Sequence, residues 1–148
     1  MNVNDYIVHE TERQSGTMKE ALGMKEAWRY LKTRLEPHYW RLVERDALVL
    51  VRYINGIDTY RQMPAVFNQG MSAMPASMVP HAMKRWGEQM NSKPFIEDAR
   101  EYADYMTREF LSIHPFADGN GRVGSLVWNY LMRTIDNPEP MPYYFGDR

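Results

Sequence analysis

The side chains of this chain best suited to chemistry stand in one run, His114-Pro115-Phe116-Ala117-Asp118-Gly119-Asn120-Gly121-Arg122. Histidine, with an ordinary pKa of about 6.5, can be neutral in the cell and take a proton from an attacking hydroxyl. Asp118 is a hard oxygen donor of the kind a small divalent cation accepts. Gly119 and Gly121 permit positive φ and close ligand approach, and Arg122 carries a planar fork of donors that fits an oxyanion. Proton acceptor, metal ligand, open backbone and guanidinium in so short a stretch are the equipment for handling a nucleotide.

What must position these groups follows from the flanks. Asp-Gly followed by Asn-Gly would by local rules be a hairpin turn between strands. Upstream, however, Ile96, Ala99, Ala103, Met106, Phe110 and Ile113 recur at the three- and four-residue spacing of one buried helical face. Val123, Leu126, Val127, Tyr130 and Leu131 repeat it downstream. The run is therefore a glycine-rich loop between two helices. Pro115 breaks the first helix and leaves His114 at its end. The second begins near Asn120, where its first N–H groups lack carbonyl partners and can receive a phosphate.

The rest of the chain reads as helices with one exception. Residues 1–16 predict a short helix ending near Gly16. Residues 17–35 predict a second, opened by Thr17 and Glu20 as a capping box, with Met18, Leu22, Trp28 and Leu31 as its apolar stripe. A third covers about 39–54, with Trp40, Val43, Ala47, Leu50, Val51 and Ile54 inward and Gly56 closing it. Met83, Trp86 and Met90 mark a fourth over about 81–91. Residues 62–80 lack helical period; Ala65-Val66-Phe67 suits a short strand, Asn68-Gln69-Gly70 a turn, and Met71 to Met74 a return strand. Arg61, just before this segment, reads from its residue type as a surface arginine. Residues 136–148 open with a proline-rich, extended tail.

The run at 114–122 resembles the signature of the Fic family, HPFx(D/E)GNGRxxR, and on it the chain is identified as a member. His114, Pro115, Phe116, Asp118, Gly119, Asn120, Gly121 and Arg122 all match, whereas the final arginine falls on Ser125. The resemblance implies an all-α helical bundle with a short β-hairpin flap, residues 1–148 forming one such domain with its active-site loop and helix start at 114–125. It implies a protein adenylyltransferase that moves AMP from ATP to a Ser, Thr or Tyr hydroxyl of a target protein, with Mg²⁺ present, weakened or altered in its donor use by the serine where the final arginine stands. By that resemblance His114 is the general base and Asp118 the metal ligand. Gly119, Asn120, Gly121 and Arg122 hold the phosphates. Val66, Phe67 and Asn68 belong to the flap that aligns the target by main-chain pairing, and Tyr60-Arg61 resembles the family segment that precedes it, which implies a positioning residue at Arg61. Self-restrained family members carry an inhibitory helix, (S/T)xxxE(G/N); compared with Thr11 to Gly16, the glutamate's place is held by Ser15. Both partners of the inhibitory ion pair are thus serine here, at 15 and at 125.

Composition narrows the rest. A net charge of −1 in 148 residues gives no pull towards nucleic acid or an anionic membrane surface. No cysteine means no disulfide framework and no thiolate nucleophile, which fits the cytoplasm. His9, His38 and His81 lack chemical neighbours and read as structural. Two other activities remain in view: a catalytically silent nucleotide-binding or interaction module, and phosphate transfer as in the Doc branch, whose motif carries lysine where Gly121 stands. Oligomeric state is not legible.

Overall fold

The computed structural model describes residues 1–35, 44–67, 70–92 and 98–142. Among them are six α-helices: α1 (Val3–Arg13), α2 (Met18–Leu35), α3 (Glu44–Asn55), α4 (Val79–Ser92), α5 (Ala99–Ile113) and α6 (Asn120–Met132), with one 3₁₀ turn, Ala76–Met78, leading into α4. The fold is the all-α bundle expected from the sequence. None of the described helices is long and apolar enough to cross a membrane.

Helix α6 is the axis of the bundle. Every residue from Asn120 to Leu131 is buried, and a helix buried all round belongs inside a core rather than on its surface. Helix α5 packs along it most extensively, and α1, α2 and α3 close the other sides. The predicted stripes of α5 and α6 hold: Ala103, Met106, Phe110 and Ile113 are buried, as are Val123, Leu126, Val127, Tyr130 and Leu131. So do Ala47, Leu50, Val51 and Ile54 of α3, and Met83, Trp86 and Met90 of α4. Trp40, Val43, Ile96 and Asn68 lie outside the described residues.

Two expectations are corrected. In α2 the buried face is Met24, Ala27, Trp28 and Leu31, whereas Met18 and Leu22 are 77% and 61% exposed. The reason is Gly23, against which the end of α3 is pressed. That contact turns the Ala/Met/Trp face inward and leaves Leu22 beside the crossing rather than beneath it. The flap is shorter than the expected strand pair. The described residues of 62–80 form one antiparallel bridge, Val66 with Ser72, supported by Phe67 N–H to Met71 O and Ala73 N–H to Ala65 O at 2.8 and 2.9 Å. Pro64 and Pro75, which cannot donate to a ladder, flank the bridge and stop it growing.

The α2–α3 crossing yields a test. A Cβ at Gly23 would run into the Tyr53 carbonyl and lie 2.8 Å from that of Ile54. Backbone cannot step aside as a side-chain tip can. Alanine is better than glycine in a helix by about 1 kcal/mol, but overpacking against fixed backbone costs about 1–3 kcal/mol. Gly23→Ala should therefore lower the thermal midpoint by several degrees, read by circular dichroism; a raised midpoint would show that propensity wins and the crossing is loose.

Candidate active site

Helix α5 ends where Pro115 forbids its continuation, and His114 takes up the turn in the left-handed conformation, φ 52° and ψ 61°. Its N–H still donates to Phe110 O at 3.1 Å. A non-glycine residue held there costs about 1–2 kcal/mol, so something must hold it. The holder is Arg61, whose Nε donates to His114 O at 2.6 Å, whose Nη2 donates to Ile113 O at 3.2 Å, and whose backbone N–H donates to Pro115 O at 2.8 Å. Arg61 is only 3% exposed, so of its two sequence readings the surface arginine is excluded.

The His114 ring meets the ring of Phe67 edge-on, centroids 5.3 Å apart. Burial and then the charge of Arg61 push the imidazole pKa down to about 4. The ring is therefore neutral through the physiological range, with a nitrogen lone pair able to accept a proton.

From His114 the chain passes Phe116, whose fully buried ring stacks on Tyr60 and tilts against Phe110. Asn120 then closes the loop upon itself: its Oδ1 accepts from Phe116 N–H at 2.9 Å and its Nδ2 donates to Phe116 O at 2.8 Å. This pair tethers the start of α6 to a residue only two positions beyond His114, at most about 7 Å of chain. The side chain of Asn120 is thus a loop staple, and what it can offer a ligand is its backbone N–H.

The start of α6 differs from those of α1, α2 and α5. Asn2 caps α1 through Asp5 N–H, Thr17 and Glu20 form the predicted capping box of α2, and Asp98 caps α5 through Glu101 N–H. At α6 the N-cap is Gly119, with φ 94° and no side-chain cap. Only Val123 N–H finds a carbonyl, that of Gly119; the N–H groups of Asn120, Gly121 and Arg122 have no acceptor. Three amides at a buried, uncapped helix start carry the positive end of the helix dipole.

Arg122 stands beside them, 2% exposed. Its Nη1 donates to Glu20 Oε2 at 2.7 Å and its Nη2 lies 3.4 Å from Asp118 Oδ2, while its Nε is buried without an acceptor. Burial would push the Glu20 carboxyl up, but hydrogen bonds from Arg122 and Thr17 outweigh this and hold its pKa below the usual value. Asp118 keeps its side chain 68% exposed, and its carbonyl accepts from Asn55 Nδ2 at 3.2 Å. Gln14 packs against Gly121 so closely that a Cβ there would lie 2.5 Å from Gln14 Oε1.

These positions sit within a wider similarity. A sequence model of the Fic/DOC family matches residues 41–132, from just before α3 to the end of α6. The chain belongs to the Fic/DOC family. A Fido domain-containing protein of Dictyostelium discoideum is 42% identical over 40 residues, covering 27% of this chain and 28% of that protein. Among solved structures, a fragment of Fic-1 from C. elegans superposes with a TM-score of 0.68 at 26% identity, over 81% of this chain and 37% of the other. A Fic domain containing signaling protein from Bacteroides thetaiotaomicron gives 0.69 at 18% identity, over 86% and 59%, a likeness of fold alone. In each case the chain spans less than two thirds of its relative. Fic-domain proteins are typically transferases.

Set against the Fic signature, position 125 is the departure, and its surroundings are specific. Ser125 is fully buried, its Oγ donating back to Arg122 O at 2.8 Å. Its carbonyl accepts from Asn129 Nδ2 at 3.0 Å and from Tyr6 OH at 3.4 Å. Burial pushes the Tyr6 phenol well up, so it stays a donor. Ser15, by contrast, is exposed and left-handed, φ 56°, at the end of α1. No hydrogen bond joins Ser15 to Ser125. Sequence reasoning missed the residue of this segment that does reach the site: Glu20 was legible only as a cap, and its second oxygen meets a partner 102 positions away.

Ser125→Arg would drive a long cation into the seam between α1 and α6. Burying such a charge costs about 3 kcal/mol or more. The variant should lose many degrees of thermal midpoint, while Ser125→Ala, which removes one back-bond from a helix, should change it little. Equal midpoints for serine and arginine would show that the seam opens freely.

Proposed function

We propose that the protein transfers AMP from ATP to a Ser, Thr or Tyr hydroxyl of a target protein. The observation that carries this reading is the uncapped start of α6: three free amides and the Nε of Arg122, one loop away from a neutral imidazole. Oxygens of a nucleotide's phosphates match those donors, and few other ligands need so many in one place.

The chemistry is an in-line substitution at the α-phosphorus. The target's hydroxyl oxygen forms a bond to phosphorus while the bond to the bridging oxygen breaks and pyrophosphate leaves. The hydroxyl proton passes to His114, the general base. Amides of Asn120, Gly121 and Arg122, with the Arg122 guanidinium, stabilise charge on the phosphate oxygens; no covalent enzyme intermediate is required. Asp118 fits a Mg²⁺ ion in the way such ions accompany nucleotides, through one carboxylate together with phosphate oxygens and water. No group of three or more potential ligands exists among the described residues, so the metal would arrive with the nucleotide; bound there, it neutralises phosphate charge. Phe67, whose ring meets that of His114, and the exposed Val66 next to it in the chain are suited to align the target segment, and Asn68 lies outside the described residues.

One observation favours the silent-module alternative. Gln14 is packed on Gly121 and Glu20 on Arg122, so a nucleotide must displace the first and compete with the second. Phosphate transfer of the Doc kind finds less support, because Gly121 offers no lysine.

Incubation with Mg²⁺ and ATP labelled at the α- or γ-phosphate, alongside His114→Ala, separates these readings. Protein-bound label from the α position only, lost in His114→Ala by at least a hundredfold, is the expected result. Label from γ only, or nucleotide binding without label, would replace the AMP-transfer reading.

The pH profile is a second test. A base with pKa of about 4 is already deprotonated at pH 5, so transfer should be flat on its acidic side down to that point and halve near pH 4. A rate that halves near the ordinary histidine value of about 6.5 would contradict the desolvated ring.

A further inference from the structure

Arg61 is a buried cation with no carboxylate partner among the described residues. All its hydrogen bonds go to backbone carbonyls, and these come from two separate parts of the chain. Two belong to the end of α5, Ile113 O and His114 O. The other two are the feet of the flap: Nη1 donates to Met63 O at 3.0 Å and Nη2 to Met74 O at 2.6 Å. Met63 and Met74 flank the Val66–Ser72 bridge on both sides.

The arrangement is physically economical. Terminal carbonyls of a helix carry its negative dipole end and lack partners of their own. A guanidinium is the one side chain with enough donors, fixed in a plane, to serve four carbonyls at once. Nothing in the single bridge of residues 62–80 would by itself hold that segment at a fixed height over His114, since one bridge does not make a stable hairpin. Arg61 supplies the attachment the bridge lacks.

We propose that Arg61 is a positioning residue that locks the flap to the backbone of His114, so that an acceptor hydroxyl lying along the flap is held in register with the imidazole. This rests on the AMP-transfer reading for its meaning, but the lock itself does not need that reading. The same guanidinium, through its charge beside the ring, helps keep His114 unprotonated. Flap position and base strength thus share one residue.

The test uses readouts that loss of stability alone would not move. Hydrogen exchange at the amides of Phe67 and Ala73, both bonded across the flap, reports the lock. The His114 pKa, followed by NMR of the ring, reports the charge, and Mg²⁺-ATP titration reports the cradle. In Arg61→Lys, which keeps the charge and loses the fork, flap protection should fall about tenfold, while the His114 pKa stays low and Mg²⁺-ATP affinity stays within about twofold. In Arg61→Met the flap should loosen equally and the pKa should rise as well. Unchanged flap protection in folded Arg61→Lys would overturn the proposal, as would a flap in the unsubstituted protein whose amides exchange as fast as an unstructured peptide's. That last measurement decides even if both variants fail to fold. Absence of label from ATP in the unsubstituted protein would remove the transferase reading and leave the lock to stand or fall on exchange alone.

Discussion

The constraint on which this molecule turns is that its central helix begins inside the protein without a cap. Helices that start at a surface solve the problem of their first N–H groups with an oxygen of their own, as Asn2, Thr17 and Asp98 do here. An amide left unpaired away from water costs about 1–3 kcal/mol, and α6 leaves three. Asn120 has the right side chain to cap but spends both its polar atoms on Phe116. Packing of α6 on all sides offsets the deficit. A protein selected for stability alone has a simpler remedy, a serine or aspartate at 119; glycine there, with a positive φ, keeps the cradle open.

Much of this was legible from the residue order because α5 and α6 are close to their period and the loop is punctuated by proline and glycine. The stripe of α6 was readable even though the helix is buried on every side, since its polar members, Ser125 and Asn129, are satisfied by back-bonds and by α1. The α2 face was misread because two apolar faces compete there, and what selects between them is the crossing at Gly23, a tertiary contact. The flap was read as a pair of strands because its residues suit strands. Local propensity does not report that prolines at both ends leave room for one bridge. Arg61 and Glu20 were ambiguous for the same reason as each other: long polar side chains have no period, and their partners lie far along the chain.

The two arginines of the site are neutralised in opposite ways, and the difference bears on what each can do. Arg61 faces only carbonyl dipoles, so no carboxylate cancels its charge beside His114, and burial keeps it from solvent. Arg122 faces two carboxylates, Glu20 and Asp118, which around one guanidinium leave a single net negative charge at the mouth of a cradle otherwise built for anions. Free phosphate meets repulsion there that the amides must overcome. On the function proposed above, a nucleotide accompanied by a divalent cation would reverse the balance, with Asp118 a ligand rather than a rival and Arg122 left to the phosphate and to Glu20. Glu20 would then compete with the nucleotide for the same guanidinium, and since its carboxyl is already held by Thr17, it would yield only to a ligand that makes several bonds at once. On that proposal, selectivity for a metal-bound polyphosphate over a simple anion would follow from the competition, without any further residue to enforce it.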